Sequence, residues 1–250
     1  MASSDKPDDH IDALLSSWEF HPSDIKARVV KGGDGREVLQ TRVELGVLQM
    51  EVSGRPDGEK PGGQQTYLDF LISEEFHRGE SFVLTDEERL EVDREFMQFY
   101  QRRICWLTLK NYAAAMSDAD HTLTLMDVVK RHSPDEDWTL AHEQYRPFVL
   151  FHRTQAAALA ALENKEAEDA ISAINTGLER MEEFFAEHDA AERFDDDEMV
   201  KRLRALRESM REQFKVGKTL NEQLAEAVAS EEFELAARLR DEIRKQQGQL

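Results

Sequence analysis

A carboxylate and an imidazole stand at helical spacing near the middle of the sequence. Asp118 and His121 are three residues apart, so a helix would present both on one face. Carboxylates and histidines at this spacing ligate metals inside helical bundles. A complete site would need further ligands from facing helices, and His142, Glu143 and His152 are present but do not repeat the motif. We therefore predict no metal site and no cofactor.

Three other segments could carry chemistry. Residues 32–35, Gly-Gly-Asp-Gly, are not followed by the Gly-Lys-Ser/Thr of a phosphate-binding loop, so we interpret them as a tight turn. We interpret residues 54–58, Gly-Arg-Pro-Asp-Gly, as a solvated turn rather than a ligand loop. Cys105 lies beside Trp106 on an apolar helix face, which favours a place in the core over a nucleophilic role. No Ser–His–Asp or Cys–His set stands out by its spacing, so we predict no catalytic residue and no enzyme activity.

An acidic block and then a basic block lie before the C-terminal segment. Residues 182–198 hold nine acids and one base, and residues 199–218 hold seven bases and two acids. Asp195 is predicted to cap a helix with Glu198 at its third position. Residues 189–214 are therefore predicted to be a connecting helix whose charges suit the helix dipole.

Three arginines of the basic block repeat at helical spacing. Arg204, Arg207 and Arg211 would form a stripe beside the apolar face of the connecting helix. One interpretation is a track for phosphate contacts along a nucleic-acid backbone. The other is a solvated face whose charges pair with nearby acids, for example Glu208 with Arg211. We favour the second because no aromatic residue or Gly-rich loop accompanies the stripe.

The composition limits the classes of partner. The chain has 250 residues, 40% hydrophobic and 34% charged, with a formal net charge of −20. A chain this acidic repels nucleic acid and anionic membranes. Nucleic acid is therefore not predicted as a partner of the whole chain. Its longest wholly apolar run, residues 156–162, is too short to span a membrane. With one cysteine and no secretory-type start, the chain is predicted to be cytoplasmic.

The first 24 residues are predicted to be a mobile tail followed by a short amphipathic helix. Residues 1–9 are polar. Apolar residues then recur at helical spacing, which places on one face Ile11, Leu14, Leu15 and Trp18. Such a face must dock on another surface, most simply on the rest of this chain.

Residues 25–84 are predicted to be a small β-rich region with a Gly- and Pro-rich loop. β-branched residues flank the turn at 32–35, which indicates a hairpin. Gly46 stands where the alternation changes parity, so a bulge or second turn is expected there. A loop over 54–63 leads to a short helix over 67–76.

Residues 85–188 are predicted to be a helical body. Thr85 and Glu88 form a capping box, so a helix is expected from Asp86. Pro147 is expected near the start of a later helix or at a kink in it. Beyond the first helix, the predicted helices cover residues 112–131, a stretch from the loop at 133–137 to about 162, and 166–185.

Two helix pairs in this body have similar patterns of small and aromatic residues. The second pair is offset by 55 residues, and the spacing within each pair resembles the tetratricopeptide repeat. The alternative is an antiparallel helical bundle without that family relationship. The matched positions are Phe99, Trp106, Tyr112, Ala115, Ala119 and Leu123 with Thr154, Ala161, Ala167, Ala170, Ile174 and Leu178.

Residues 215–250 are predicted to form a hairpin of two helices. The first helix carries on one face Leu220, Leu224, Ala227 and Val228. The second carries Phe233, Ala236, Ala237 and Ile243, with Leu239 broadening the face. Ser230 and the acids after it mark the break between the helices. The alanines opposite Phe233 would let the helices approach closely, and the short pair would leave an apolar edge for a partner or a second copy.

The second helix of the hairpin carries a family resemblance. Residues 233–243 read Phe-Glu-x-Ala-Ala-x-Leu-Arg-Asp-Glu-Ile, and with the Ala-rich first helix they resemble the UVR motif. That motif occurs in the B and C subunits of the bacterial excision-repair nuclease and in some activators and adaptors of Clp-type proteolysis. The resemblance covers about residues 215–247 and implies a protein-interaction hairpin without catalytic function. Gln246 departs from the pattern, because an apolar residue often stands there.

The sequence therefore predicts a mainly α protein with a small N-terminal β-hairpin or meander, α+β overall. Our first hypothesis is a non-catalytic adaptor or regulatory protein that recruits a protein partner, or a second copy, through its hairpin. The alternative is an accessory factor of nucleotide-excision repair that contacts the nuclease and, through the three arginines, DNA. A third is an unrecognised enzyme using residues 25–90. The predicted partner-binding residues are Leu220, Leu224, Val228, Phe233, Ala236, Ala237, Leu239, Arg240 and Ile243.

Overall fold

The protein is mainly helical with one small antiparallel sheet, as predicted. A computed structural model describes residues 11–247, and side chains up to residue 245. The predicted mobile tail, residues 1–9, lies outside the described residues. The chain folds as two compact units, of which one ends at Val149 and the other begins at Leu150. The predicted helical body, residues 85–188, therefore extends across that boundary.

The first unit begins with a short helix and a three-stranded sheet. Helix α1 (Asp12–Ser17) precedes strands β1 (Ala27–Lys31), β2 (Glu37–Val43) and β3 (Gly46–Glu51), which lie in the order β1-β2-β3. The glycine turn is confirmed between β1 and β2, where Gly35 has a φ of 85° that favours glycine.

The sheet register explains the change of parity at Gly46. Val43 is paired with Gly46 across the two antiparallel strands, so residues 44 and 45 make a two-residue turn. Of the two alternatives predicted there, the structure contains the second turn. The face of α1 is partly covered, since the Arg28 guanidinium lies 4.1 Å from the centre of the Trp18 ring.

The rest of the first unit is helical. Thr66 caps helix α2 (Tyr67–Arg78), and the predicted Thr85–Glu88 capping box starts helix α3 (Asp86–Thr108). Asn111 caps helix α4 (Tyr112–His132), which packs antiparallel to α3 after a tight turn. Helices α3 and α4 agree with the predicted segments.

The predicted third long helix is in fact two helices. Helix α5 (Glu136–Glu143) and helix α6 (Arg146–Glu163) are separated by a turn at residues 144 and 145. Asp135 starts α5 inside the predicted loop, because its carboxylate accepts the Trp138 amide at 3.0 Å. Pro147 lies in the first turn of α6, where a missing amide hydrogen costs nothing.

In the described part of the second unit, the rest of α6 is followed by the α-helices α7 (Ala167–Glu187), α8 (Glu198–Phe214), α9 (Leu220–Ala229) and α10 (Phe233–Gln247). Helices α6 and α7 approach closely at Gly177. A Cβ built on Gly177 would lie 2.0 Å from the Thr154 Oγ1 atom, so only glycine fits.

The start of α8 corrects the predicted cap. Asp197, not Asp195, is the capping residue: its carboxylate accepts the amides of Met199 and Val200 at 2.8 and 3.1 Å. Asp195 instead accepts a hydrogen bond from Arg204 at 2.7 Å. Three consecutive aspartates left the choice open in the sequence, and the turn that ends at Phe194 decides it.

The two helix pairs of the tetratricopeptide-like pattern both form, α3 with α4 and α6 with α7. Most of the matched positions are buried in each pair, while Tyr112, Ala161 and Ala167 are half-buried. The shared pattern therefore reflects helix-to-helix packing, and the relationship to the tetratricopeptide family stays a prediction.

Candidate partner-binding hairpin

The C-terminal hairpin has a small core of its own. Ala227 of α9 and Ala236 and Leu239 of α10 are buried together, with Leu220 and Leu224 packed against them. Small residues at the contact let the two short helices come close enough for the leucines to pack against both of them. Four of the predicted partner-binding residues therefore hold the hairpin together: Leu220, Leu224, Ala236 and Leu239.

The ends of the hairpin helices are fixed locally. Thr219 caps α9 by accepting the Glu222 amide at 3.3 Å, and the Glu222 carboxylate accepts the Thr219 amide at 2.8 Å. The break predicted at Ser230 is present, and Glu231 takes a left-handed φ of 58° so that the chain can reverse before Phe233.

The turn end of the hairpin presents apolar side chains to solvent. Phe233 is 69% exposed and Val228 is 54% exposed, and Leu235 is also exposed. The alanines therefore do not cover Phe233, contrary to the packing that the sequence suggested. Ala237 and Arg240 are exposed on the second helix. We call Val228, Phe233 and Leu235 the apolar tip.

The opposite end of the hairpin is bound to α8 through Glu222. The Glu222 carboxylate accepts a hydrogen bond from Arg211 and lies 3.8 Å from Arg207. Burial opposes ionisation of Glu222, but the Thr219 amide and the Arg211 guanidinium outweigh it, so the pKa of Glu222 is lowered. Lys218 adds an exposed ion pair with Glu226 at 2.6 Å.

The three arginines of the basic stripe all have partners within the second unit. Arg204 bonds Asp195 and lies 5.2 Å from the centre of the Phe194 ring. Arg207 donates to the side chain of Asn175 at 2.8 Å, and Arg211 pairs with Glu208 at 3.2 Å as well as with Glu222. These contacts agree with the second interpretation of the stripe, in which its charges pair with nearby acids. To contact phosphates, the three arginines would have to give up these partners.

Ile243 lies near the start of α7 rather than in the hairpin core. It is half-buried and lines a shallow pocket with Glu168, Asp169 and Leu220. The predicted partner-binding set thus divides into core residues, two residues of the apolar tip, the exposed Ala237 and Arg240 of α10, and Ile243 near α7.

Asp118 and His121, the two residues at helical spacing considered above as metal ligands, make structural contacts in the first unit. Asp118 accepts two hydrogen bonds from Arg102, at 2.9 and 2.7 Å. His121 lies 2.9 Å from the Glu95 carboxylate and stacks on Phe99 with ring centres 3.6 Å apart. Burial raises the pKa of Asp118, and Arg102 opposes this rise. Within residues 11–247, no cluster of His, Cys, Asp and Glu could hold a metal ion.

Arg55 corrects the interpretation of residues 54–58 as a solvated turn. Its side chain is buried, 2.6 Å from Glu91 and 3.4 Å from Glu95. Glu95 is completely buried and accepts the first two amides of α2, from Tyr67 and Leu68, at 2.6 and 2.9 Å. This network therefore joins the loop, α2 and α3.

The signal that could have found this network is the position of Glu95. It falls on the apolar stripe of α3, between Val92 and Phe96, where a carboxylate needs buried partners. Cys105 is buried, as predicted, and burial raises the pKa of its thiol.

None of the helices between residues 11 and 247 has both the length and the hydrophobicity needed to cross a membrane. Comparison with curated proteins and with solved structures finds no match to this chain. One family model does match, and it covers the hairpin: residues 216–249 are similar to the UVR family, described as the UvrB/uvrC motif.

Proposed function

We propose that this protein is a non-catalytic adaptor or regulatory protein that recruits a protein partner through the apolar tip of its UVR hairpin. The observation that carries the proposal is the exposure of Phe233 and Val228 at the turn of a hairpin whose small core, Ala227, Ala236 and Leu239, is buried. Exposed aromatic side chains on a rigid element are typical anchors of protein interfaces.

The hairpin is suited to docking because its two ends differ. Glu222 anchors the start of α9 to Arg211 of α8, which fixes the hairpin on its unit. The turn end carries no such polar contact to α8 among the bonds of the described residues, and it presents the apolar tip. A partner could cover that tip without disturbing the anchor.

The non-catalytic part of the proposal is supported by the surroundings of the side chains that could otherwise act in catalysis. Asp118 bonds Arg102, His121 lies against Glu95 and Phe99, and Cys105 is a buried thiol with a raised pKa. A nucleophile or general base must reach its substrate, and the burial of Asp118 and Cys105 and the stacking of the half-buried His121 on Phe99 oppose this. The proposal includes a cytoplasmic location, in keeping with a single cysteine.

The description of the family model favours one second candidate. As an accessory factor of nucleotide-excision repair, the protein would bind a UVR-bearing subunit of the excision nuclease. The paired state of Arg204, Arg207 and Arg211 opposes a direct role in DNA binding. The two candidates therefore share the docking surface and differ in the partner.

The test is affinity capture with the full-length chain and two matched variants. Phe233→Ala removes the largest side chain of the apolar tip, and Phe76→Ala removes a phenylalanine of the first unit that is even more exposed. Both are surface changes, so folding should be preserved. We expect a partner that the wild type and Phe76→Ala capture and that Phe233→Ala loses, with identification by mass spectrometry.

The result that contradicts the proposal is equal capture by all three proteins, or capture by none together with a concentration-independent monomer in sedimentation. A concentration-dependent oligomer lost only in Phe233→Ala would identify the partner as a second copy. Direct binding to purified excision-nuclease B or C subunits would select the repair candidate, and absence of that binding would exclude it.

A further inference from the structure

An apolar groove in the first unit lies apart from the hairpin. Its floor is a stripe on α3, because Phe96, Tyr100 and Arg103 follow at intervals of four and three residues, and Met97 lies beside Phe96. The cavity volume is about 650 Å³. Small-molecule sites commonly have volumes of about 300–1,000 Å³ and walls that are mainly apolar.

The opposite wall comes from the break between α5 and α6. The His142 ring meets Phe96 edge-on with centres 5.1 Å apart, and Tyr145 lies 6.0 Å from the same ring. Tyr145 is half exposed at the rim, while Phe148 of α6 faces Tyr100 at 6.2 Å. The groove therefore offers aromatic surfaces on both sides.

The inner end of the groove holds a buried guanidinium whose charge is poorly compensated. Arg103 is 1% exposed, and its Nη1 donates to the Thr122 hydroxyl at 2.9 Å. Its Nε–H has no acceptor. Asp118 is nearby, but it already accepts two hydrogen bonds from Arg102. Among residues 11–245, no carboxylate forms an ion pair with Arg103.

A guanidinium has five N–H donors in a planar fork, so one hydroxyl acceptor leaves most of them unused. Burial disfavours the charged form and lowers the pKa of Arg103 to about 10. Arg103 remains a cation at neutral pH, and an anion that reaches it would gain an attraction strengthened by the apolar surroundings.

We propose that this groove binds a small organic monocarboxylate with an apolar body, the carboxylate pairing with Arg103 and the body lying between the aromatic walls. One negative charge matches the single uncompensated positive charge. A phosphate fits less well, since it would bring a second charge and stronger hydration into an apolar groove.

The acidic end of the groove does not favour a cationic ligand. Asp93 lies ten residues before Arg103 on α3, roughly 15 Å away at the rise of an α-helix. Its carboxylate already contacts the His142 ring at 2.9 Å and the Trp138 indole N–H at 3.1 Å. Arg103 therefore carries the unused polar capacity of this groove.

The test uses isothermal titration calorimetry of the full-length protein with 2-naphthoate and with 2-naphthamide, its uncharged analogue. We expect naphthoate to bind and naphthamide to bind far more weakly. Arg103→Met keeps an apolar stem of similar length without the charge. It should weaken naphthoate binding by about tenfold to a hundredfold, the range for a hydrogen bond to a charged group.

A second variant guards against misfolding of Arg103→Met. Ala141 is an exposed residue of α5 that lines the groove, so Ala141→Phe should fill it and abolish naphthoate binding. Ala113→Phe, at an exposed position of α4, is the matched control and should bind as the wild type does. Circular dichroism of each variant checks that the helices are intact.

Three results would overturn the proposal. They are equal affinity for naphthoate and naphthamide, unchanged affinity in a folded Arg103→Met or Ala141→Phe protein, and no naphthoate binding up to its solubility limit. An oligomer in sedimentation velocity that Ala141→Phe alone disrupts, without naphthoate binding to the wild type, would mean that a second copy covers the groove instead.

Discussion

Replacing Asp118 with asparagine should strongly destabilise the first unit. Asp118 is buried and accepts two hydrogen bonds from the buried Arg102, so Asp118→Asn leaves a buried guanidinium without its counterion. Arg102 would keep two backbone acceptors, the carbonyl oxygens of Glu51 and Gly54 at 3.1 and 2.8 Å. Arg103 would lose its nearest attractive charge at the same time.

Removing one partner of a buried ion pair typically costs about 3–5 kcal/mol in the free energy of unfolding. The two retained carbonyl contacts place the expectation at the lower end, about 3 kcal/mol. For a unit of this size, that loss corresponds to a decrease in Tm of roughly 6–12 °C. The assay is urea and thermal unfolding at pH 8, chosen because burial raises the pKa of Asp118 and a higher pH favours its ionised form.

The control is Glu44→Gln, which removes one carboxylate charge from the exposed turn between β2 and β3 and should change stability by less than about 0.5 kcal/mol. Combining Asp118→Leu with Arg102→Met removes both charges and should cost less than Asp118→Asn alone. The reasoning is wrong if Asp118→Asn costs no more than Glu44→Gln, or if the double variant costs the sum of its single changes.

Two further predictions concern the second unit. The pKa of Glu222 is lowered from its ordinary value of 4.5, so its stabilising contribution is fully present above that pH and is lost as the pH falls through the lower folded-state pKa. The protection factors of the α9 amides, which are exchange rates corrected for the intrinsic effect of pH, should therefore fall at acid pH in the wild type, whereas in Glu222→Gln they should be lower already at pH 7. Equal protection of the two proteins at pH 7 would contradict the anchor. Gly177→Ala should lower the free energy of unfolding by about 1–3 kcal/mol, because the added methyl group overpacks against Thr154; any gain in helix propensity reduces this loss. Adding Thr154→Gly to this variant should restore stability, as measured by denaturant titration. No loss in Gly177→Ala would show that α6 and α7 can separate at no cost.

The sequence predicted the elements whose signals are local. The Thr85–Glu88 capping box, the glycine turn near Gly35 and the 3.6-residue periodicity of α3, α4 and α7 each depend on residues within a few positions of one another. The UVR pattern is also local, since one hairpin of consecutive helices carries it, and residues 233–243 together with the Ala-rich first helix indicate it.

The sequence was ambiguous where several equivalent residues competed for one role. Three aspartates precede α8, and the choice of Asp197 as its cap depends on how the preceding turn ends. The break at residues 144 and 145 was not predicted, because α5 and α6 both continue a helical pattern and Asp135 starts α5 earlier than the loop composition suggested.

Long-range pairing was decided only by the tertiary structure. Arg55 is 40 residues from Glu95, and the polar loop that contains it has no local feature to indicate a buried guanidinium. Whether Phe233 is core or surface depends on which face of α10 meets α9, and the two choices have almost the same periodicity. The sequence determined most of the helices, the capping box of α3 and the hairpin motif, because these depend on neighbouring residues. Which charges are paired, and which apolar side chains stay exposed, depends on contacts between distant segments that form only when the chain is packed.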